Sequence, residues 1–292
     1  MTKIIKYFFE FIRVISLFCI FKIIGLRNSS NLGSLLGQLI GPFFRSKNTI
    51  KANIKIGLGN VGESKEKEII NGMWSNIGRT FAEYIFLKDF RLNKTNFDHI
   101  KINGTTYLEE IKNSNKPVVF FSGHFANFEL MAMELDKFGI KTAAIYRPLN
   151  NFFLNPIMEY FRIKFICPNQ IPKGRPGMRE VINKVRKGYS IALMVDQRVG
   201  EGQRVNLFNH PAQTTTIPAQ LALKYDCKLV PIFLKRIGNI NFEMTVYKPY
   251  EIEKTKNSEQ DTKNITLKIN QIIEKMIIEN PTQWLWSHNR WK

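Results

Sequence analysis

The sequence predicts an α/β fold, a mixed and largely parallel sheet flanked by helices, with a membrane-associated helix at its N-terminus. Three observations carry this. From about residue 100 onward, short β-type runs alternate with stretches of helical periodicity, the rhythm of strand–helix–strand units. Runs such as Val118–Phe121 and Ile191–Val195 are apolar throughout, as strands buried under helices on both faces should be. Residues 4–26 (IIKYFFEFIRVISLFCIFKIIGL) are, apart from their charged residues, nearly all aliphatic or aromatic.

That first segment is read as a helix because Lys3, Lys6, Glu10 and Arg13 recur at spacings of three and four and so form one stripe. Its longest uncharged run, Val14–Phe21, is short of the ~20 residues of a clean span. No small-residue cleavage site follows, which argues against a signal peptide. A helix lying in the membrane, or tilted through it, is the expectation, with residues 1–30 as anchor and 31–292 as one body.

Residues 32–60 combine apolar spacing with several glycines and a basic stretch, and read as helices close to the membrane. Residues 64–92 form a helix on the recurrence of Ile69, Met73, Trp74, Ile77, Phe81 and Tyr84. Val118–Phe121 is a strand and 124–139 a helix ending at Gly139. Thr142–Tyr146 is a strand, 150–163 a helix, and Lys164–Cys167 a short strand. A helix over 176–188 leads to the buried strand Ile191–Val195. Pro218–Tyr225 is a helix, Lys228–Phe233 and Phe242–Tyr247 are strands, and a helix over 258–279 stops at Asn280-Pro281.

The chain carries 43 Lys and Arg against 24 Asp and Glu in 292 residues, a net charge of +19. Such an excess suits an acidic partner, whether nucleic acid, anionic lipid or an acidic protein. Cys19, Cys167 and Cys227 are scattered, without CxxC, and the four histidines lack metal-ligand spacing, so a reduced protein without a metal is expected. GxSxG and GxxxxGK[ST] are both missing, which argues against a serine nucleophile and a P-loop.

What remains gathers where strands end. His124 and Glu129 follow Val118–Phe121 in the stretch SGHFANFE. Five residues apart on one helix they would lie about 140° apart, so they can meet only if His124 sits in the turn and Glu129 in the helix that follows. A base with its orienting carboxylate is one reading, and a capping His beside a surface Glu is the other. Arg147 follows the next strand, Lys173 and Arg175 follow Cys167, and Asp196 and Gln197 follow Ile191–Val195. In an α/β sheet these loops converge on one edge, where a base and several cations would suit a phosphate-bearing or otherwise anionic substrate.

These residues resemble the lipid A biosynthesis acyltransferases of the lauroyl/myristoyl type, within the glycerophospholipid acyltransferase superfamily. His124 to Glu129 matches the His-x4-Asp/Glu signature. WSNIGRTFAEY (74–84), YRP (146–148), the basic loop with Gly174 and Arg175, VDQ (195–197), FNHPAQT (208–214) and the tail PTQWLWSHNRWK follow in order. Asn209 departs from the pattern, where many members have Gly. The resemblance implies an acyltransferase domain over 31–292 and acyl transfer to a hydroxyl of a lipid A precursor at the cytoplasmic face of a bacterial inner membrane. It implies no cofactor of the enzyme's own, since the acyl donor rides on the phosphopantetheine of acyl carrier protein. His124 would be the general base and Glu129 its orienter. Arg147, Lys173 and Arg175 would hold phosphates or the oxyanion, and Asp196 and Gln197 would be structural or position the acceptor. Partners would be acyl carrier protein, the lipid A precursor and membrane lipids, and not nucleic acid. Acylation of a glycerophospholipid or another glycolipid is the alternative; the VDQ block speaks against glycerophosphate members, which usually carry Pro-Glu-Gly there.

Overall fold

The structure, a computed structural model, describes residues 2–92 and 99–292. Helices come first: α1 (Thr2–Ile24), α2 (Leu26–Ile40), α3 (Lys47–Leu58), α4 (Glu63–Glu83) and α5 (Leu87–Leu92). Then follow β1 (Ile100–Asn103), α6 (Thr105–Ser114), β2 (Val118–Ser122), α7 (Glu129–Lys137), β3 (Thr142–Tyr146), α8 (Asn155–Phe161), β4 (Asn169–Pro172), α9 (Arg175–Arg186) and β5 (Ser190–Met194). A hairpin of β6 (Gln203–Leu207) and β7 (His210–Thr214) precedes α10 (Ile217–Tyr225), β8 (Lys228–Arg236), β9 (Phe242–Val246) and α11 (Ser258–Glu279).

The main sheet runs β1-β9-β8-β2-β5-β3-β4. Every neighbouring pair is parallel except β8 with β9. The carboxyl ends of β8, β2, β5, β3 and β4 therefore share one edge, which is where an α/β sheet opens to ligands. Period-two alternation splits the core in two. Phe120, Ala144, Ala192 and Val230 pack toward α6 and α7. Val119, Phe121, Ala143, Ile191 and Leu193 pack toward α9, α10 and α11.

Two expectations change. The helix expected from residue 124 begins at Glu129, and residues 124–128 form a loop with Ala126 in the left-handed region, φ 46°. Lys164–Cys167 is not a strand. A π-helical turn, Arg162–Ile166, continues α8, and the strand comes later as β4. A short apolar run such as Ile163–Ile166 does not distinguish the two by periodicity. The β6–β7 hairpin turns on Phe208 (φ 53°) and Asn209 (φ 59°). That two-residue turn needs positive φ at both positions, and Asn209 supplies it where glycine would.

The first helix packs its C-terminal half inward through Phe18 and Phe21, while Ile4, Ile5, Phe8, Phe9 and Ile12 stay exposed. The charged stripe is not wholly solvated: Glu10 accepts a hydrogen bond from Asn151. Among the described residues no helix is long and apolar enough to cross a membrane. Ser30 falls within α2, and α2 crosses α4 on glycines. A Cβ on Gly78 would lie 1.9 Å from the Gly33 carbonyl oxygen, and one on Gly33 would lie 2.4 Å from that of Gly78. Gly78→Ala should force the helices apart at the upper end of the ~1–3 kcal/mol typical of overpacking. At about 2–4 °C per kcal/mol for a chain of this size, a thermal melt in detergent should fall by several degrees. An unchanged melt would mean the helices do not cross this closely.

Candidate active site

The β2 strand delivers the chain to Gly123 and His124, and β5 delivers Asp196 beside them. Asp196 is buried, its side chain 1% exposed. Its Oδ1 lies 2.7 Å from His124 Nδ1. Its Oδ2 accepts the His124 backbone N–H at 2.8 Å and the Trp284 indole N–H at 2.8 Å. Glycine is required at 123 because a Cβ there would lie 2.7 Å from the Phe125 ring and 3.2 Å from Asp196 Oδ2. Burial alone would raise the Asp196 carboxyl, but His124, through its charge, ring and backbone N–H, and the Trp284 indole outweigh it and hold the group at about 2.

A carboxylate on Nδ1 assigns the ring proton there and leaves Nε2 as the basic nitrogen. The Phe128 ring, 4.6 Å away and edge-on, fixes the imidazole plane. Gln197 Nε2 sits 3.3 Å from His124 Nε2, the ring nitrogen that Asp196 does not touch. Both residues line a cavity of about 960 Å³. One part of its wall is apolar, formed by Met131 and Ala132 of α7 with Ala144, Ala192 and Met194 of the sheet. The other part carries Arg147, Lys173 and Arg175.

Glu129 also lines the cavity, but His124 takes Asp196 as its partner and Glu129 takes Arg162. Arg162 donates to Glu129 Oε1 through Nη2 at 2.6 Å and Nε at 3.1 Å, with both side chains nearly buried at 11% and 12% exposed. The guanidinium stacks over Tyr146, 5.1 Å from the ring centre. Burial works against its charge, yet Glu129 raises its pKa on balance. Its Nη1 is buried, and the guanidinium lies against the Tyr84 hydroxyl, drawing down a phenol that burial pushes up.

The expected residues thus reach one edge, with two corrections. His124 meets Asp196 rather than Glu129, which pairs with Arg162, and Asp196 is buried rather than open to the cavity. Arg147, Lys173 and Arg175 are exposed at the rim, where Lys173 N–H donates to the Tyr146 carbonyl and holds β3 beside the start of α9. Burial and the neighbouring Arg147 both push the Lys173 ammonium downward. Two residues went unanticipated. Arg162 lies at the end of the helix expected over 150–163, with no motif to mark it, and Trp284 reaches Asp196 from the far end of the chain. The WxW pattern of the tail was its one signal. Burial pushes His288 of that tail down to about 4, so it is neutral at pH 7. Among the described residues no group of three or more His, Cys, Asp or Glu is placed to hold a metal ion.

A family model described as "Bacterial lipid A biosynthesis acyltransferase" matches residues 2–292. The chain is 23% identical over 268 residues to the lipid A biosynthesis palmitoleoyltransferase of Escherichia coli K12, covering 89% of this chain and 84% of that one. It is 22% identical over 270 residues to the lipid A biosynthesis lauroyltransferase of the same organism, with the same coverage. To a lipid A biosynthesis acyltransferase of Haemophilus influenzae it is 25% identical over 252 residues, covering 83% and 76%. With the match running from the first helix through the tail that closes on Asp196, this chain belongs to the bacterial lipid A biosynthesis acyltransferase family.

Proposed function

We propose that this protein transfers a fatty acyl chain from the thioester of acyl carrier protein to a hydroxyl of a lipid A precursor, with His124 as general base held by Asp196. The observation that carries this is the His124 ring, fixed at Nδ1 by a buried carboxylate while Nε2 faces an open cavity. An alcohol is a poor nucleophile at neutral pH, so a base must take its proton as oxygen attacks the thioester carbonyl. Nε2 receives that proton while Asp196 stays ionised and stabilises the imidazolium. The tetrahedral intermediate then collapses, the C–S bond breaks, and the proton returns to the departing thiolate. Arg162, a guanidinium in the cavity wall, suits a donor to the oxyanion. The apolar wall suits the acyl chain, and the enzyme needs no cofactor beyond the pantetheine that carries its donor.

Arg147, Lys173 and Arg175 suit phosphates of the acceptor or of the pantetheine arm. Lys173→Glu should raise KM about tenfold with kcat changed by less than about threefold, as loss of binding shared by ground and transition states predicts. Initial rates at varied acceptor and donor concentrations check this and identify the partner. The exposed apolar face of α1, together with the net positive charge, suits the anionic cytoplasmic face of a bacterial inner membrane.

The test is transfer by the purified protein in detergent, from acyl carrier protein thioesters to a tetra-acylated lipid A precursor, beside His124→Ala. Product from the wild type alone supports the reading. Acylation of lysophosphatidate with the precursor ignored would keep the chemistry and move the acceptor to a glycerophospholipid. Full activity in His124→Ala would overturn the mechanism.

A further inference from the structure

Behind the catalytic loop lies a buried polar cluster that the chemistry above does not use. Glu83, the last residue of α4, has no exposed side-chain surface. Its Oε1 accepts from Ser30 Oγ of α2 at 2.7 Å and from Arg236 Nη1 at 2.5 Å. Its Oε2 accepts from Arg236 Nη2 and from Asn127 Nδ2, both at 3.0 Å. Arg236, at the carboxyl end of β8, also donates through Nε to Asn76 Oδ1 at 3.2 Å. Asn76 Nδ2 in turn donates to the Ala126 carbonyl at 3.0 Å, and Thr80 Oγ1 donates to the same oxygen at 3.0 Å. The Ala126 N–H donates to the Gln283 carbonyl, and the Gln283 side chain bridges both backbone polar groups of Arg236.

Four of these contacts end on Ala126 and Asn127, two residues of the loop between His124 and Glu129. Ala126 is held left-handed, a conformation that an alanine does not take by preference. Without that reversal the loop could not present His124 to Asp196 and also start α7 at Glu129. A residue whose backbone is over-determined in this way points to the groups that determine it. We infer that Glu83, fixed by Arg236, is a positioning residue for acyl transfer: it grips Asn127 directly and, through Arg236 and Asn76, keeps Ala126 left-handed so that the His124 ring stays on Asp196. The inference rests on His124 being the base, as proposed above.

The test compares the full-length protein as wild type, Glu83→Gln, Asn127→Ala, and Glu83→Gln with Ala126→Gly. Each is purified in detergent and assayed for rate against acceptor concentration, with a thermal melt of each. Glutamine keeps the shape but presents an amide N–H to Arg236 or Asn127. Asn127→Ala removes only the neutral grip and leaves the Glu83–Arg236 pair. Both single variants should lose about 10- to 100-fold in kcat, the scale of a small misplacement of catalytic groups, with KM within about threefold. Ala126→Gly should return part of the loss in Glu83→Gln, because glycine takes the left-handed conformation unaided. A readout without turnover is the downfield Nδ1 proton of His124, which should shift or broaden in both single variants. An Asn127→Ala protein with wild-type kcat and an unmoved His124 proton overturns the inference, whether or not Glu83→Gln folds. If the wild type acylates none of the acceptors, the substrate reading fails and the His124 proton alone decides on Glu83.

Discussion

Asp196→Asn should lower kcat by about 10³- to 10⁴-fold, the scale set by carboxylates that orient a catalytic imidazole. The variant keeps volume and one acceptor oxygen, but its amide N–H₂ would face His124 Nδ1, the His124 backbone N–H or the Trp284 indole, all donors in the wild type. The ring would then favour the tautomer with its proton on Nε2, where the base must be free. KM should change far less than kcat. The same residue gives an acid-stability signature. The Asp196 carboxyl is held at about 2 against an ordinary 3.8. Its folded value is depressed, so its contribution is fully present above pH 4 and is lost as pH falls toward 2. The gap corresponds to roughly 2 kcal/mol. Melts between pH 7 and 2.5 should show the difference between wild type and Asp196→Asn shrinking below pH 4. A difference that holds constant to pH 2.5 would mean that Asp196 is not held ionised by these contacts, and an unimpaired kcat would remove it from the site.

Why the edge was legible and the partnership was not follows from what a sequence encodes locally. Apolar runs mark strands, and the polar residues that end them mark the carboxyl edge once the strands are parallel; His124, Arg147 and Asp196 follow from that rule, whereas Lys173 ends β4, a strand of mixed polarity that no apolar run marks. Pairing across strands leaves no such trace. Glu129 stands five residues from His124 and invites pairing with it, whereas Asp196 stands 72 away and Trp284 a further 88 from Asp196. The reversal at Ala126 was hidden for a related reason. No glycine announces it, and the groups that impose it come from α4 and from the tail. The hairpin at Phe208-Asn209 likewise lacks the Asn-Gly or Asp-Gly signal that marks most such turns.

Glu129→Gln and Arg162→Met should each lower kcat by about 10²- to 10³-fold, the cost of losing one oxyanion donor, and the double variant should be little worse than the poorer single. Glu129 holds Arg162 by two of its nitrogens, and both residues line the cavity. If the carboxylate acts by fixing that guanidinium, removing either partner disables the same unit and the losses do not multiply. If Glu129 instead acted on His124 independently of Arg162, the losses would multiply toward 10⁴-fold or more. Stability should separate in the same way. Arg162→Met leaves the nearly buried Glu129 carboxylate without its cation, and removing one partner of a buried pair costs about 3–5 kcal/mol. Neutralising Glu129 in that background should recover much of the loss, since two neutral side chains in place of a buried pair are tolerated far better than one unpaired charge. A double variant that melts as low as Arg162→Met, with multiplicative kinetic losses, would place Glu129 back beside His124 during turnover and make Arg162 a bystander. A double variant that is more stable than Arg162→Met yet no slower than the poorer single would make the Glu129–Arg162 pair one element of the site and His124–Asp196 the other.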